Sequence, residues 1–116
     1  MGNRNFHFTS DVDFVRGAED GLTALYEHCE ARKLKATFFF TGKYAVHYPE
    51  LVQEAVNRGF EIGSHGWLHG EDPREDFSVQ TYDEQHYKIE KSTDEIEKAC
   101  GCRPRAFRAP NLLLNG

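Results

Sequence analysis

Three consecutive phenylalanines, Phe38 to Phe40, lie in the run Lys35–Thr41, KATFFFT, and that run constrains the fold more than any other segment. Aromatic side chains fit a pleated surface and gain by leaving water, so a short unbroken run ending at Gly42 predicts a buried strand. On its N-terminal side Leu22, Leu25, Tyr26 and Cys29 recur at helical spacing, which predicts a helix from about Ala18 to Arg32. On its C-terminal side Pro49 suits the first turn of a second helix carrying Leu51, Val52, Ala55 and Val56, with Gly59 as its cap. A buried strand between two helices points to layered α/β architecture.

The rest of the chain extends that pattern. Asn5 to Asp11 reads as an earlier strand in which Phe6, Phe8, Ser10 and Val12 share one face, and His7, Thr9, Asp11 and Asp13 share the other. Phe60 to Ser64, FEIGS, reads as a third strand, and the polar stretch Gly66 to Phe77 as a loop at its exit. Thr81 and Glu84 form a capping-box pair opening a third helix that ends at Gly101. Tyr82, His86, Ile89, Ile96 and Cys100 line one side of it, which makes His86 a core or boundary histidine. Pro104 separates this helix from a fourth strand, Arg105 to Pro110. The order βαβαβαβ predicts a parallel sheet with right-handed crossovers, and residues 1–116 form one domain without repeat or linker.

Charge and hydropathy exclude some roles. With 14 basic and 19 acidic residues and no basic cluster, the chain has no electrostatic footprint for nucleic acid or anionic lipid. The apolar run Ala36 to Phe40 is too short to cross a bilayer, and the opening MGNRNFHF lacks the apolar stretch of a secretory signal. The expected location is therefore cytoplasmic, with secretion or the cell envelope left open. Cys29, Cys100 and Cys102 form no even framework, and Cys100-Gly101-Cys102 is too tight for an ordinary disulfide, so all three are expected as thiols.

In parallel α/β folds the loops leaving the carboxyl ends of the strands converge on one rim. Three strand ends here carry polar groups: Asp11 and Asp13 after the first, His65 and His69 after the third, Arg108 near the end of the fourth. Each has a plain structural explanation alone. Paired aspartates serve as turn and cap residues, and a chain with six histidines readily shows a pair at spacing four. Together on one rim they make a different pattern. Two imidazoles and a carboxylate form a metal-binding face with open coordination positions, which suits catalysis better than a closed structural site. A bound divalent ion acidifies water and polarises an amide carbonyl, and a second carboxylate can act as general base. Zinc is the expected ion, and cobalt, nickel and iron also accept such a site.

Three ordered motifs resemble the polysaccharide deacetylases that share the NodB homology domain, carbohydrate esterase family 4. TSDVD, Thr9 to Asp13, is similar to the first motif; SHGWLH, Ser64 to His69, to the second; FRAPN, Phe107 to Asn111, to the third. ATFFFTG and NRGFEIGSHG fit the family as well, so the resemblance covers almost the whole chain. It implies Asp11 as catalytic base, Asp13, His65 and His69 as metal ligands, and Arg108 as the group that orients the base. Trp67 and Pro110 are the candidates for touching substrate. Gly66 stands where the family has Ser or Thr, and Asn111 where it has Pro or an aromatic residue.

The resemblance implies metal-dependent removal of N-acetyl groups from amino-sugar polymers: polysaccharide, chitooligosaccharide or peptidoglycan. Two alternatives are a small-molecule amidohydrolase of the allantoinase-like kind and a non-catalytic fragment. It also implies the N-terminal part of a distorted (β/α) barrel of roughly 200 residues or more, with a fourth motif and a fifth bearing a catalytic-acid histidine that have no counterpart here. Four strands cannot close a barrel, so the exposed edges predict a chain cut short after the third motif, self-association, or pairing with a second fragment.

Overall fold

The computed structural model describes residues 7–12, 19–67 and 81–108. They form β1 (His7–Val12), α1 (Glu19–Ala31), β2 (Lys35–Phe40), α2 (Gly42–His47), α3 (Pro49–Asn57), β3 (Glu61–Ser64), α4 (Tyr82–Cys100) and β4 (Ala106–Phe107). The four strands make one sheet in the order β1-β2-β3-β4, and every pairing is parallel. The expected α/β class is therefore observed, with β1 and β4 at the edges.

Alternation along the strands separates two faces. Val12, Phe38, Phe40 and Ile62 join a core with Leu22 and Tyr26 of α1, Val52 and Ala55 of α3, and Ile96 of α4. Within it the Tyr26 and Phe38 rings meet edge-to-face at 4.9 Å, and Phe38 and Phe60 lie 5.2 Å apart. The Tyr26 hydroxyl donates to the Leu51 carbonyl at 2.9 Å, giving a buried polar atom its partner. The opposite face carries His7, Thr9 and Asp11 of β1, Thr37 and Phe39 of β2, and Gly63 of β3. There the Thr37 hydroxyl lies 2.6 Å from His7 Nε2.

Local signals set most of the helix ends. The Thr81 hydroxyl accepts from the Glu84 amide at 3.1 Å, capping α4 as expected. Gly59, at φ +85°, closes α3: its amide donates to Val56 O and that of Phe60 to Ala55 O, the paired bonds of a Schellman motif.

The structure corrects three details. The segment after β2 holds a further helix, α2, because the Thr41 hydroxyl accepts from the Tyr44 amide and caps it; the strand thus stops one residue earlier than expected. Tyr48, at φ −131° and ψ 56°, then breaks the helical path, as expected of a residue before proline, and α3 starts afresh at Pro49. The stripe on α4 is buried only in its C-terminal half, at Ser92, Thr93, Ile96 and Cys100. Tyr82 is 78% exposed, and His86 is exposed and stacks on Tyr82, so His86 is not a core residue. Finally, β4 covers only Ala106–Phe107 of the expected Arg105 to Pro110.

Cys29, Cys100 and Cys102 are thiols, the first two buried and the third exposed. No helix among the described residues is long and apolar enough to cross a membrane.

Candidate functional site

Backbone register brings three of the sequence-predicted residues to one end of the sheet. The ladder continues one step past the strands: the His65 amide donates to Phe40 O at 2.8 Å and the Arg108 amide to Ser64 O at 2.9 Å. The turn after β3 is tied down further, because Gly66 O and Trp67 O accept from the amides of Gly42 and Lys43 at 2.8 and 3.0 Å. Those amides open α2 and have no partner within the helix, so the two segments satisfy each other. Behind them the Ser64 and Ser92 hydroxyls pair at 2.9 Å, linking β3 to α4.

On this frame Arg108 Nη1 donates to Asp11 Oδ1 at 2.9 Å. In a flat sheet β1 and β4 would stand about 14 Å apart. The contact forms because the Arg108 side chain lies inward over the sheet, its guanidinium carbon 4.3 Å from the centre of the Phe39 ring on β2. His65 completes the arrangement. Its Nδ1 lies 2.7 Å from the Arg108 carbonyl oxygen, and since a carbonyl can only accept, Nδ1 carries the proton. Its Nε2 stands 3.8 Å from Asp11 Oδ2. His65 is 1% exposed while the side chains of Asp11 and Arg108 are 36% and 27% exposed, so water reaches the carboxylate over a buried imidazole.

Trp67 sits at the junction of the β3 exit with α2 and α4. Lys91 Nζ lies 3.8 Å over its ring, and a Cβ on Gly42 would meet Trp67 Cε3 at 2.6 Å. Asp13, His69 and Pro110 lie outside the described residues. Among the described residues no three or more His, Cys, Asp or Glu side chains cluster as a metal site. A separate groove of about 290 Å³, lined by Phe60, Glu61, Ile62, Cys102, Arg103 and Arg105 among others, lies at the other end of β3 and β4.

Phe39 and Gly63 also belong to this end of the sheet, though no motif marks them. Register joins them: Asp11, Phe39, Gly63 and Ala106 fall in one row across the sheet and share a face. Pairing register is set by three-dimensional packing, so the row was invisible in the linear sequence.

Comparisons with known proteins bear on the fold and the family. The chain is 30% identical over 105 residues to the peptidoglycan-N-acetylglucosamine deacetylase PgdA of Listeria monocytogenes, an alignment covering 90% of this chain and 22% of that protein. A family 4 carbohydrate esterase from Streptomyces lividans, solved in complex with acetate, superposes with a TM-score of 0.80 at 26% identity, over 97% of this chain and 54% of the other. A CE4 family pseudoenzyme from Bacillus anthracis superposes equally well, at TM-score 0.80, over 97% of this chain and 37% of the other; at 21% identity that likeness concerns the fold alone. The chain thus spans about a fifth to a half of these longer proteins, and its four parallel strands correspond to part of their distorted β/α barrel. The sequence model of the polysaccharide deacetylase family matches residues 11–116, from the aspartate that Arg108 holds onward, and the chain belongs to that family.

Proposed function

We propose that the protein carries the metal-binding rim of a deacetylase that removes N-acetyl groups from amino-sugar polymers such as peptidoglycan or chitin oligosaccharides. One observation carries this reading: a carboxylate held at one oxygen by Arg108 turns its other oxygen toward a buried imidazole of defined tautomer. Such an arrangement suits a general base beside a metal ligand.

The donor chemistry fits a divalent cation. With the Nδ1 proton committed to the Arg108 carbonyl, a neutral His65 carries its lone pair on Nε2, and a ligating histidine of this kind typically donates its other N–H to a carbonyl or carboxylate. In this reading His65, with Asp13 and His69, would hold the ion, zinc being the first choice and cobalt, nickel or iron able to replace it. When bound, the ion would acidify water and polarise the acetyl carbonyl. Asp11 accepts the proton of the attacking water. Arg108 keeps that carboxylate oriented through a charge-assisted hydrogen bond. The leaving amine also needs a proton from a general acid.

The test is acetate release from N-acetylglucosamine oligomers. Release is expected with metal, and is lost on chelation and in Asp11→Asn, which still binds metal. Chelator-insensitive release would overturn the metal role, and loss of metal from Asp11→Asn would overturn the division between base and ligand. Metal binding without any acetate release would favour a non-catalytic chain.

A further inference from the structure

Phe39 lies beneath the Arg108–Asp11 pair, where a long cationic side chain crosses two strands to reach its partner. It is paired with Asp11 on one side and Gly63 on the other, and these residues share a face. Its ring is nearly buried, at 7% exposure, on the face away from the helices and outside the cluster they build. The guanidinium carbon of Arg108 sits 4.3 Å from its centroid, in cation–π range.

Gly63 makes this placement available. A Cβ there would stand 2.6 and 2.7 Å from Phe39 Cδ1 and Cε1, and 3.1 Å from the Ala106 carbonyl oxygen. A side chain at residue 63 would therefore displace the ring. The glycine serves space: Gly63 is not among the positive-φ glycines, so its backbone conformation does not demand one.

We propose that Phe39 is a positioning residue, a flat shelf fitted against Gly63 on which the Arg108 guanidinium lies, so that its Nη1 is aimed at Asp11. Its consequence for turnover rests on the deacetylase reading above; its consequence for Arg108 does not. An arginine has many rotamers, and fixing them by a ring face beforehand keeps the base oriented without reorganisation during reaction.

The decisive measurement is nitrogen-15 NMR of the arginine side chains in the intact, metal-free chain, with kinetics on N-acetylglucosamine oligomers as a second arm. The Arg108 Nε–H proton is expected upfield of the exposed arginines through the ring current. It should move to a solvent-like position in Phe39→Leu and Gly63→Ala, and stay in place in Phe39→Tyr. Phe38→Leu, on the opposite face of the same strand, removes a fully buried ring and should leave the Arg108 signal alone. In the kinetic arm Phe39→Leu should lower kcat about tenfold with KM little changed, Phe39→Tyr should restore it, and adding Gly63→Ala to Phe39→Leu should cost little more. An Arg108 signal indifferent to Phe39→Leu, one shifted equally by Phe38→Leu, or a shifted signal with unchanged kcat would each overturn the proposal. A wild-type chain without turnover would count against the deacetylase reading, and the NMR arm would still decide whether Phe39 positions Arg108.

Discussion

Arg108 reaches across 97 residues of sequence to donate from Nη1 to Asp11 Oδ1 at 2.9 Å, while its own backbone carbonyl accepts from His65 Nδ1 at 2.7 Å. One residue thus orients a carboxylate with its side chain and an imidazole with its main chain. The two tasks separate by mutation. Arg108→Ala keeps the carbonyl and loses the guanidinium, so it should lower kcat about 10²-fold by letting Asp11 drift, with metal affinity little changed. Arg108→Lys should recover only part of the rate, because an ammonium lacks the planar fork that lies flat on Phe39. Steady-state kinetics beside a metal titration check this; equal losses in both would mean that Arg108 acts on the whole rim.

The His65 tautomer is a separate expectation. Nitrogen-15 spectra of the metal-free chain should show the proton of a neutral His65 on Nδ1, where the Arg108 carbonyl holds it. Zinc should then perturb the Nε2 resonance, and metal at a hundred times its dissociation constant should raise stability by about 2.7 kcal/mol. His65→Ala should remove most of both effects. Zinc binding undiminished in His65→Ala would exclude His65 as a ligand, and a proton found on Nε2 would exclude the Arg108 carbonyl as the group that sets the tautomer.

Alkaline pH tests the core. Burial, with the nearby Tyr44 and Glu54, pushes the Tyr26 hydroxyl far above its usual range, while Arg58 pulls the other way. The folded state therefore holds a proton that the unfolded chain releases near pH 10. That contribution is complete below about pH 10 and declines as pH rises beyond it. Tyr26→Phe should cost about 1 kcal/mol at neutral pH by removing the buried hydroxyl's bond to the Leu51 carbonyl, and should show a shallower alkaline decline than wild type. Burial also raises the Cys29 and Cys100 thiols, so a weaker decline starting near pH 8.5 persists in that variant. Denaturant melts between pH 7 and 11 measure both slopes.

Three small substitutions should rank by mechanism. Thr81→Ala removes the hydroxyl that accepts from the Glu84 amide and should cost about 1 kcal/mol. Gly101 caps α4 at φ +76° with open space around its Cβ position, so Gly101→Ala should cost roughly 1–2 kcal/mol from backbone strain alone. At Gly42 the new methyl would stand 2.6 Å from Trp67 Cε3 and 2.8 Å from Ser92 Cα, and the second of these is backbone. Gly42→Ala should therefore be the most damaging, at about 3 kcal/mol. Thermal melts establish the order, and a mild Gly42→Ala would mean that α2 and α4 slide apart easily.

The pattern of strands and helices was legible in the sequence because its causes are local: the KATFFFT run, the Thr81 cap, and glycines at residues 59 and 101 act within a few residues of themselves. The same logic placed Asp11, His65 and Arg108 at strand ends, where parallel architecture gathers loops. The extra helix α2 was also a local effect, signalled by Thr41 and overlooked beside the stronger proline at residue 49. His86 departs from its expected core or boundary place for a physical reason. Helical spacing says which residues share a face, but only packing says how far along the helix that face is covered, and the cover on α4 is at Ser92 and beyond. Likewise no local pattern could say that Arg108 would lie on Phe39, that Gly63 would clear the space, or that the Arg108 carbonyl would choose the His65 tautomer. Those contacts join separate strands, and their geometry depends on sheet register and on what packs behind it. The sequence by itself determined that Asp11, His65 and Arg108 stand at one end of the sheet; the tertiary structure decided how they touch.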